Sequence, residues 1–188
     1  MRGLADLRRI QGFMHALGEN ATRETRLYFT GGATAVLLGW RASTIDVDIL
    51  VVPDDDRLLR ALPAIKEEIE INVELACPAH FIPELPGWEG RSLFIAREGT
   101  LSFFHYDLYA QALAKIERGH SQDVTDVREM LRRGHVDPGR LQRLFEEIAP
   151  QLYRYPAVDP GAFRRAVEAT VAEFDPPGNR RDLPTGSP

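Results

Sequence analysis

Arg26-Leu27-Tyr28-Phe29-Thr30-Gly31-Gly32-Ala33-Thr34-Ala35-Val36-Leu37-Leu38 and, after a short spacer, Thr44-Ile45-Asp46-Val47-Asp48-Ile49-Leu50-Val51-Val52 are the stretch on which the fold turns. Arg26 to Thr30 reads as a short strand, Gly31-Gly32 as a turn, and Ala33 to Leu38 as a brief helix that stops before Gly39. Thr44 to Val52 is dense in β-branched residues and ends at Pro53, which makes it a central strand. Side chains two apart on a strand share a face, so Asp46 and Asp48 project together while Ile45, Val47 and Ile49 enter the opposite layer.

Upstream, Leu4, Leu7, Ile10, Met14 and Leu17 recur at helical spacing, with Gly18 placed as a left-handed cap. Downstream, Asp54, Asp55 and Asp56 offer an N-cap and first-turn charge to a helix through Leu58, Leu59 and Leu62 towards Ile69, which Pro63 is expected to break or kink. A strand follows from Ile71 to Ala76, ended by Pro78, and two shorter ones around Ser92 to Ala96 and Thr100 to His105 complete a mixed sheet. Beyond Asp107 the pattern is helical: Leu108, Ala112 and Ile116 up to Gly119, then Val124, Val127 and Leu131 up to Gly134. Asp137-Pro138 and Asp159-Pro160 each pair an N-cap with proline at the first helical position and start two further helices. The expected class is α/β (α+β), with a core over 1–106 and a helical region over 107–174 packed on it. From Asp175, a run rich in Pro and Gly without apolar periodicity predicts a disordered tail over 175–188.

The chain of 188 residues is 44% hydrophobic and 27% charged, which fits a globular core and excludes general disorder. Cys77 is the only cysteine, so an intramolecular disulfide and a multi-cysteine zinc site are excluded, in keeping with a reducing cytoplasm. Charges interrupt the apolar pattern from Met1 to Asp6, so neither a signal peptide nor a membrane span is expected, and the protein reads as soluble and cytoplasmic. The net charge of -5 argues against broad nucleic-acid affinity; no DNA partner is expected, while a local basic patch touching RNA stays open.

Two carboxylates held together repel, and a strand tolerates them best with a cation between them; hard oxygen donors suit magnesium or manganese. The competing reading is a solvated strand face. Glycines opening a helix expose backbone N–H groups that cradle phosphate oxygens, against the competing reading of an ordinary tight turn. Together, the two features set a phosphate cradle beside a divalent-metal site, the juxtaposition that nucleotidyl transfer requires. His15, His80, His105, His120 and His135 lack compact metal-ligand spacing, and the Asp54 to Asp56 run lacks the pattern of a calcium loop. Phe81 and Trp88, among Pro83, Pro86 and Gly87, are expected to pin a loop, with stacking on a base as the alternative.

Gly31-Gly32, the spacer from Ala33 to Ile45, and Asp46-Val47-Asp48 resemble the signature of the polymerase-β-like nucleotidyltransferase superfamily. Leu113-Ala114-Lys115-Ile116-Glu117-Arg118-Gly119 followed by Gln122-Asp123-Val124-Thr125-Asp126-Val127 resembles the lysine-and-aspartate helical motif of the bacterial AbiEii-like, toxin-type group. The matched segments span roughly Tyr28 to Leu131. The resemblance implies a small mixed-sheet nucleotidyltransferase core with a helical C-terminal half. It implies Mg2+ or Mn2+ held by Asp46, Asp48 and, from a neighbouring strand, Glu74. A nucleoside triphosphate (NTP) would be bound by Gly31, Gly32, Lys115 and Asp126. Asp46, Asp48, Glu74, Lys115 and Asp123 form the implied catalytic set, with Asp123 orienting Lys115 or the acceptor. Each has an ordinary counterpart: an exposed strand glutamate, a surface lysine paired with an acid, a first-turn aspartate stabilising the helix dipole.

The implied reaction moves a nucleotide from an NTP to an acceptor hydroxyl. By the same resemblance the acceptor is the 3′ end of tRNA, for a toxin with an antitoxin partner, or a protein side chain, for an antitoxin-like enzyme with a cognate toxin. A catalytically degenerate nucleotide- or partner-binding module is the third reading. Arg128, Arg132, Arg133, Arg140 and Arg143 would meet RNA phosphates in the first case, or form a solvated helix surface otherwise.

Overall fold

The computed structural model describes residues 3–174, so the expected tail from Asp175 lies outside the described residues. In chain order the elements are β1 (Ala5–Asp6), α1 (Leu7–Asn20), β2 (Thr25–Thr30), α2 (Gly31–Leu37), β3 (Ser43–Thr44), β4 (Asp46–Val52), α3 (Asp56–Glu68) and β5 (Asn72–Leu75). Then follow α4 (Trp88–Arg91), β6 (Leu93–Glu98), β7 (Leu101–His105), α5 (Leu108–Arg118), α6 (Ser121–Arg132), α7 (Pro138–Ile148) and α8 (Pro160–Phe174). The architecture is mixed α/β, as the sequence pattern predicts.

Five strands form one sheet in the order β5-β4-β2-β7-β6, and β1 with β3 makes a separate antiparallel ribbon. β2 runs antiparallel to β4, which sets Thr30 opposite Asp48. β4 runs parallel to β5, which sets Asp46 beside Asn72 and Asp48 beside Glu74. β2 and β7 are parallel, and β7 pairs antiparallel with β6.

Alternation along the strands builds two apolar layers. Leu27 and Phe29 of β2, Val47, Ile49 and Val51 of β4, and Phe103 of β7 pack with α1 and α3 on one face. Tyr28 turns the other way and joins Trp88, Tyr106 and the buried faces of α5 to α8. Trp88 stacks on Tyr106 at 4.4 Å between ring centroids, so it pins its loop as expected.

Several local expectations need correction. The predicted Thr44 to Val52 strand is split at Ile45, which is 70% exposed and takes no part in the core, because the chain leaves the β1–β3 ribbon there before entering the main sheet. Gly18 is not a cap: α1 continues to Asn20 and Ala21 ends it. A Cβ at Gly18 would lie 2.3 Å from Glu98 Cβ, so the residue serves close packing of α1 against the β6–β7 turn. Leu4 and Leu7 are exposed, and the buried stripe of α1 includes Phe13 beside Ile10, Met14 and Leu17. α3 runs through Pro63, held by the buried stripe Leu58, Leu62 and Ile65. Val124 faces solvent, and α6 buries Val127, Met130 and Leu131 instead. Among the described residues, no helix is long and apolar enough to cross a membrane.

Candidate active site

The site lies where β2 ends, β4 begins and α5 crosses them. Because Thr30 faces Asp48 across the ladder, the next residue passes directly over the Asp48 carboxylate. A Cβ at Gly31 would sit 2.5 Å from Asp48 Oδ2, and Gly31 has φ +58°, so both space and backbone conformation demand glycine. Gly32 is glycine for a different reason: a Cβ there would lie 2.0 Å from Thr44 Oγ1. It is buried against β3 and does not line the cleft.

The cleft is a cavity of about 290 Å³ with Asp46, Asp48 and Glu74 on one wall. Lys115 and Arg118 of α5 line the wall opposite in charge, and Pro78, Phe81 and Ala114 supply apolar surface. Phe81 is half exposed there, open to stacking, whereas Trp88 is committed to the core. The Asn72 amide donates to Asp46 Oδ1 at 2.6 Å and reaches Glu74 Oε1 at 3.4 Å, tying β5 to the acid pair. Burial first, then the charges of Glu74 and Asp46, push the Asp48 carboxyl up to about 6, against the opposing pull of Arg118 and Lys115.

These donors fit a hard divalent cation. A carboxylate pushed towards protonation by burial and by two neighbouring anions is the group that a cation would return to its charged form. Among the described residues no group of three or more His, Cys, Asp or Glu side chains is arranged to hold a metal ion, so Glu74 does not complete a three-carboxylate set with Asp46 and Asp48. An open pair of strand carboxylates suits magnesium, which is commonly held by one or two carboxylates plus substrate phosphates and water.

Lys115 is buried, and its ammonium donates to Asp123 Oδ1 at 3.1 Å and Asp126 Oδ2 at 2.6 Å. Arg118 grips Asp123 through Nε and Nη2, both at 2.7 Å. Burial pushes the Asp123 carboxyl up, but the hydrogen bonds and charges of Arg118 and Lys115 outweigh it and hold the group below the usual range. Asp126 is fully buried and also accepts from Trp40 Nε1 at 3.1 Å, Arg41 Nε at 2.8 Å and Arg41 Nη2 at 2.5 Å. It does not line the cleft; it locks the chain after α2 to α5 and α6.

Gln111, which sequence reasoning missed, holds the glycine turn. Its Oε1 accepts from Gly31 N–H at 2.9 Å, while Nε2 donates to Tyr106 O at 2.8 Å and Thr34 Oγ1 at 3.2 Å. The signal was present: Leu108, Gln111 and Lys115 are three and four apart, so two polar residues share the apolar stripe of α5. The Gly31 amide, expected to face phosphate, is thus already engaged. Beneath it, His105 is buried within 3.4 Å of Thr34 Oγ1, and burial lowers its pKa to about 4.

A family model described as "Nucleotidyltransferase of unknown function (DUF6036)" matches residues 5–158. No curated protein and no solved structure matches the chain.

Proposed function

On the premise that this chain belongs to that family of nucleotidyltransferases, we propose that it transfers a nucleotide from a magnesium-bound NTP to an acceptor hydroxyl. The observation that carries the reading is the Asp46 and Asp48 pair under the Gly31 turn, with the Asp48 carboxyl pushed up to about 6 in the cleft. Asp46 and Asp48 would hold Mg2+ or Mn2+, which when bound supplies charge neutralisation to the triphosphate oxygens, while Glu74 stays outside the metal pair. The cleft's cationic side faces the phosphates, and half-exposed Phe81 offers a platform for the base. The acceptor oxygen bonds to the α-phosphorus as its bond to the bridging oxygen breaks, and pyrophosphate leaves. Glu74, exposed at the mouth, is placed to take the acceptor proton.

Between tRNA and protein acceptors, the charge pairing favours protein. Arg128 pairs with Glu173 at 3.0 Å, and Arg132 and Arg133 share the carboxylate of Glu129 at 2.8 and 2.9 Å, so two of these three positive charges are already offset. A toxin acting on tRNA is the competing outcome. Incubation with each labelled NTP, magnesium and either total RNA or cell lysate separates them by the labelled product. Label in neither fraction, under conditions where a known nucleotidyltransferase labels its own acceptor, would sink the reading.

A further inference from the structure

The family resemblance assigns the triphosphate's positive partner to Lys115, yet the geometry gives that cation other work. Its side chain is only 5% exposed and is bonded to two aspartates. Arg118 is placed differently. It ends α5 at the cavity wall with its side chain 50% exposed. The grip on Asp123 uses Nε and Nη2, which fixes the guanidinium plane; among the described residues, Nη1 makes no hydrogen bond. Charge balance points the same way. Arg41, Lys115 and Arg118 face Asp123 and Asp126, leaving one positive charge in excess, and Arg118 is the most exposed of the three cations. A planar donor pre-oriented by a buried carboxylate is suited to phosphate oxygens, because little side-chain freedom remains to be lost on binding.

We propose that Arg118 is the residue that binds the polyphosphate of the nucleotide in this cleft, with Lys115 acting as a positioning residue that holds Asp123, and through it the guanidinium, in place. This rests on the nucleotide reading above and names the contact it leaves open. Asp123 is then a support for Arg118 rather than a ligand of substrate.

The test is binding of inorganic tripolyphosphate and of ATP, each with magnesium, to the full chain by calorimetry, with thermal unfolding of the same samples. Arg118→Met should weaken both ligands by roughly tenfold or more, the scale of one lost charge-assisted hydrogen bond, with its melting temperature near the parent's because Asp123 keeps Lys115. Arg118→Lys should recover part of the affinity, since it restores charge without the planar fork. Lys115→Met should lower the melting temperature more than either and also weaken tripolyphosphate binding by the folded protein, with Lys115→Arg restoring that affinity; parental affinity in folded Lys115→Met would overturn the positioning role. Parental affinity in Arg118→Met would overturn the Arg118 assignment and leave the nucleotide reading standing. Absence of binding of either ligand by the parent protein would overturn both. Should Arg118→Met unfold, Arg118→Lys decides: an affinity below the parent's supports the guanidinium contact, and parental affinity contradicts it.

Discussion

Asp48 carries opposed demands. Its folded pKa, about 6, lies above the ordinary carboxylate value, so ionising it costs stability as pH rises through that window. The penalty is absent below the unfolded pKa near 4 and full above the folded one. Asp48→Asn should therefore stabilise the metal-free protein at pH 7.5, by up to about 3 kcal/mol, with the gain vanishing near pH 4. Denaturant unfolding of parent and variant across pH measures the difference and cancels the opposite trend from buried His105, whose low pKa withdraws stability as pH falls. A gain of the variant over the parent that is no larger at pH 7.5 than at pH 4 would contradict this account of Asp48. Nucleotide transfer by the same preparation should drop by roughly 100-fold or more, given how much transition-state charge such a site must offset. Magnesium should raise the parent's melting temperature at pH 7.5 and do so less at pH 5, where Asp48 is largely protonated; chelator should reverse the gain. In Asp48→Asn the magnesium response should shrink at both pH values.

Between elements, the controlling contact is Asp126. It joins Trp40 and Arg41, on the chain between α2 and β3, to Lys115 on α5. Asp126→Ala would remove at once the acceptor shared by buried Lys115, partly buried Arg41 and the Trp40 indole, leaving Lys115 with Asp123 alone, and should destabilise by about 3–5 kcal/mol; unfolding by urea checks it, and a loss below about 1 kcal/mol would show that water replaces the carboxylate. This contact also marks the limit of sequence reading. Strands β2, β4, β5 and β7 were legible because period-2 alternation and Pro stops are local signals; α5 and α6 were legible from apolar spacing that stops at Gly119 and Gly134, and α7 and α8 from the Asp-Pro pairs that start them. Asp46 and Asp48 were legible as a pair because strand geometry alone puts two such residues on one face. The partners of Asp126 were not, since Trp40 and Arg41 lie far along the chain and nothing local specifies that they meet it. Gly32 shows the same gap: its neighbour Gly31 faces the cleft, while it yields space to Thr44. The sequence cannot distinguish a glycine kept for a ligand from one kept for a strand.

Across the whole molecule, the helical half is bound into one core with the sheet, since Tyr28 of β2 shares a cluster with Phe163 and Val167 of α8. The family match ends at residue 158, so α8 lies beyond it. Phe163 is buried and meets Phe145 edge to face at 4.9 Å. Phe163→Ala should cost about 3–5 kcal/mol while leaving nucleotide affinity of the folded protein near the parent's, because α8 does not line the cleft. Chemical denaturation with a binding isotherm on the same sample tests this, and a tenfold loss of affinity without a loss of stability would assign α8 a direct part in the site. The locked loop after α2 has a spectroscopic consequence. The chain has 2 tryptophans, and they sit in unlike surroundings: Trp88 is stacked in the core on Tyr106, whereas Trp40 donates to the Asp126 carboxylate beside the Arg133 guanidinium, 5.8 Å from its ring. Intrinsic emission is therefore a two-channel reporter. With Trp88→Phe, the remaining fluorescence comes from an indole tied to the carboxylate that holds Lys115, so nucleotide binding at the far side of that ion cluster becomes visible as a change of colour or intensity without any attached dye.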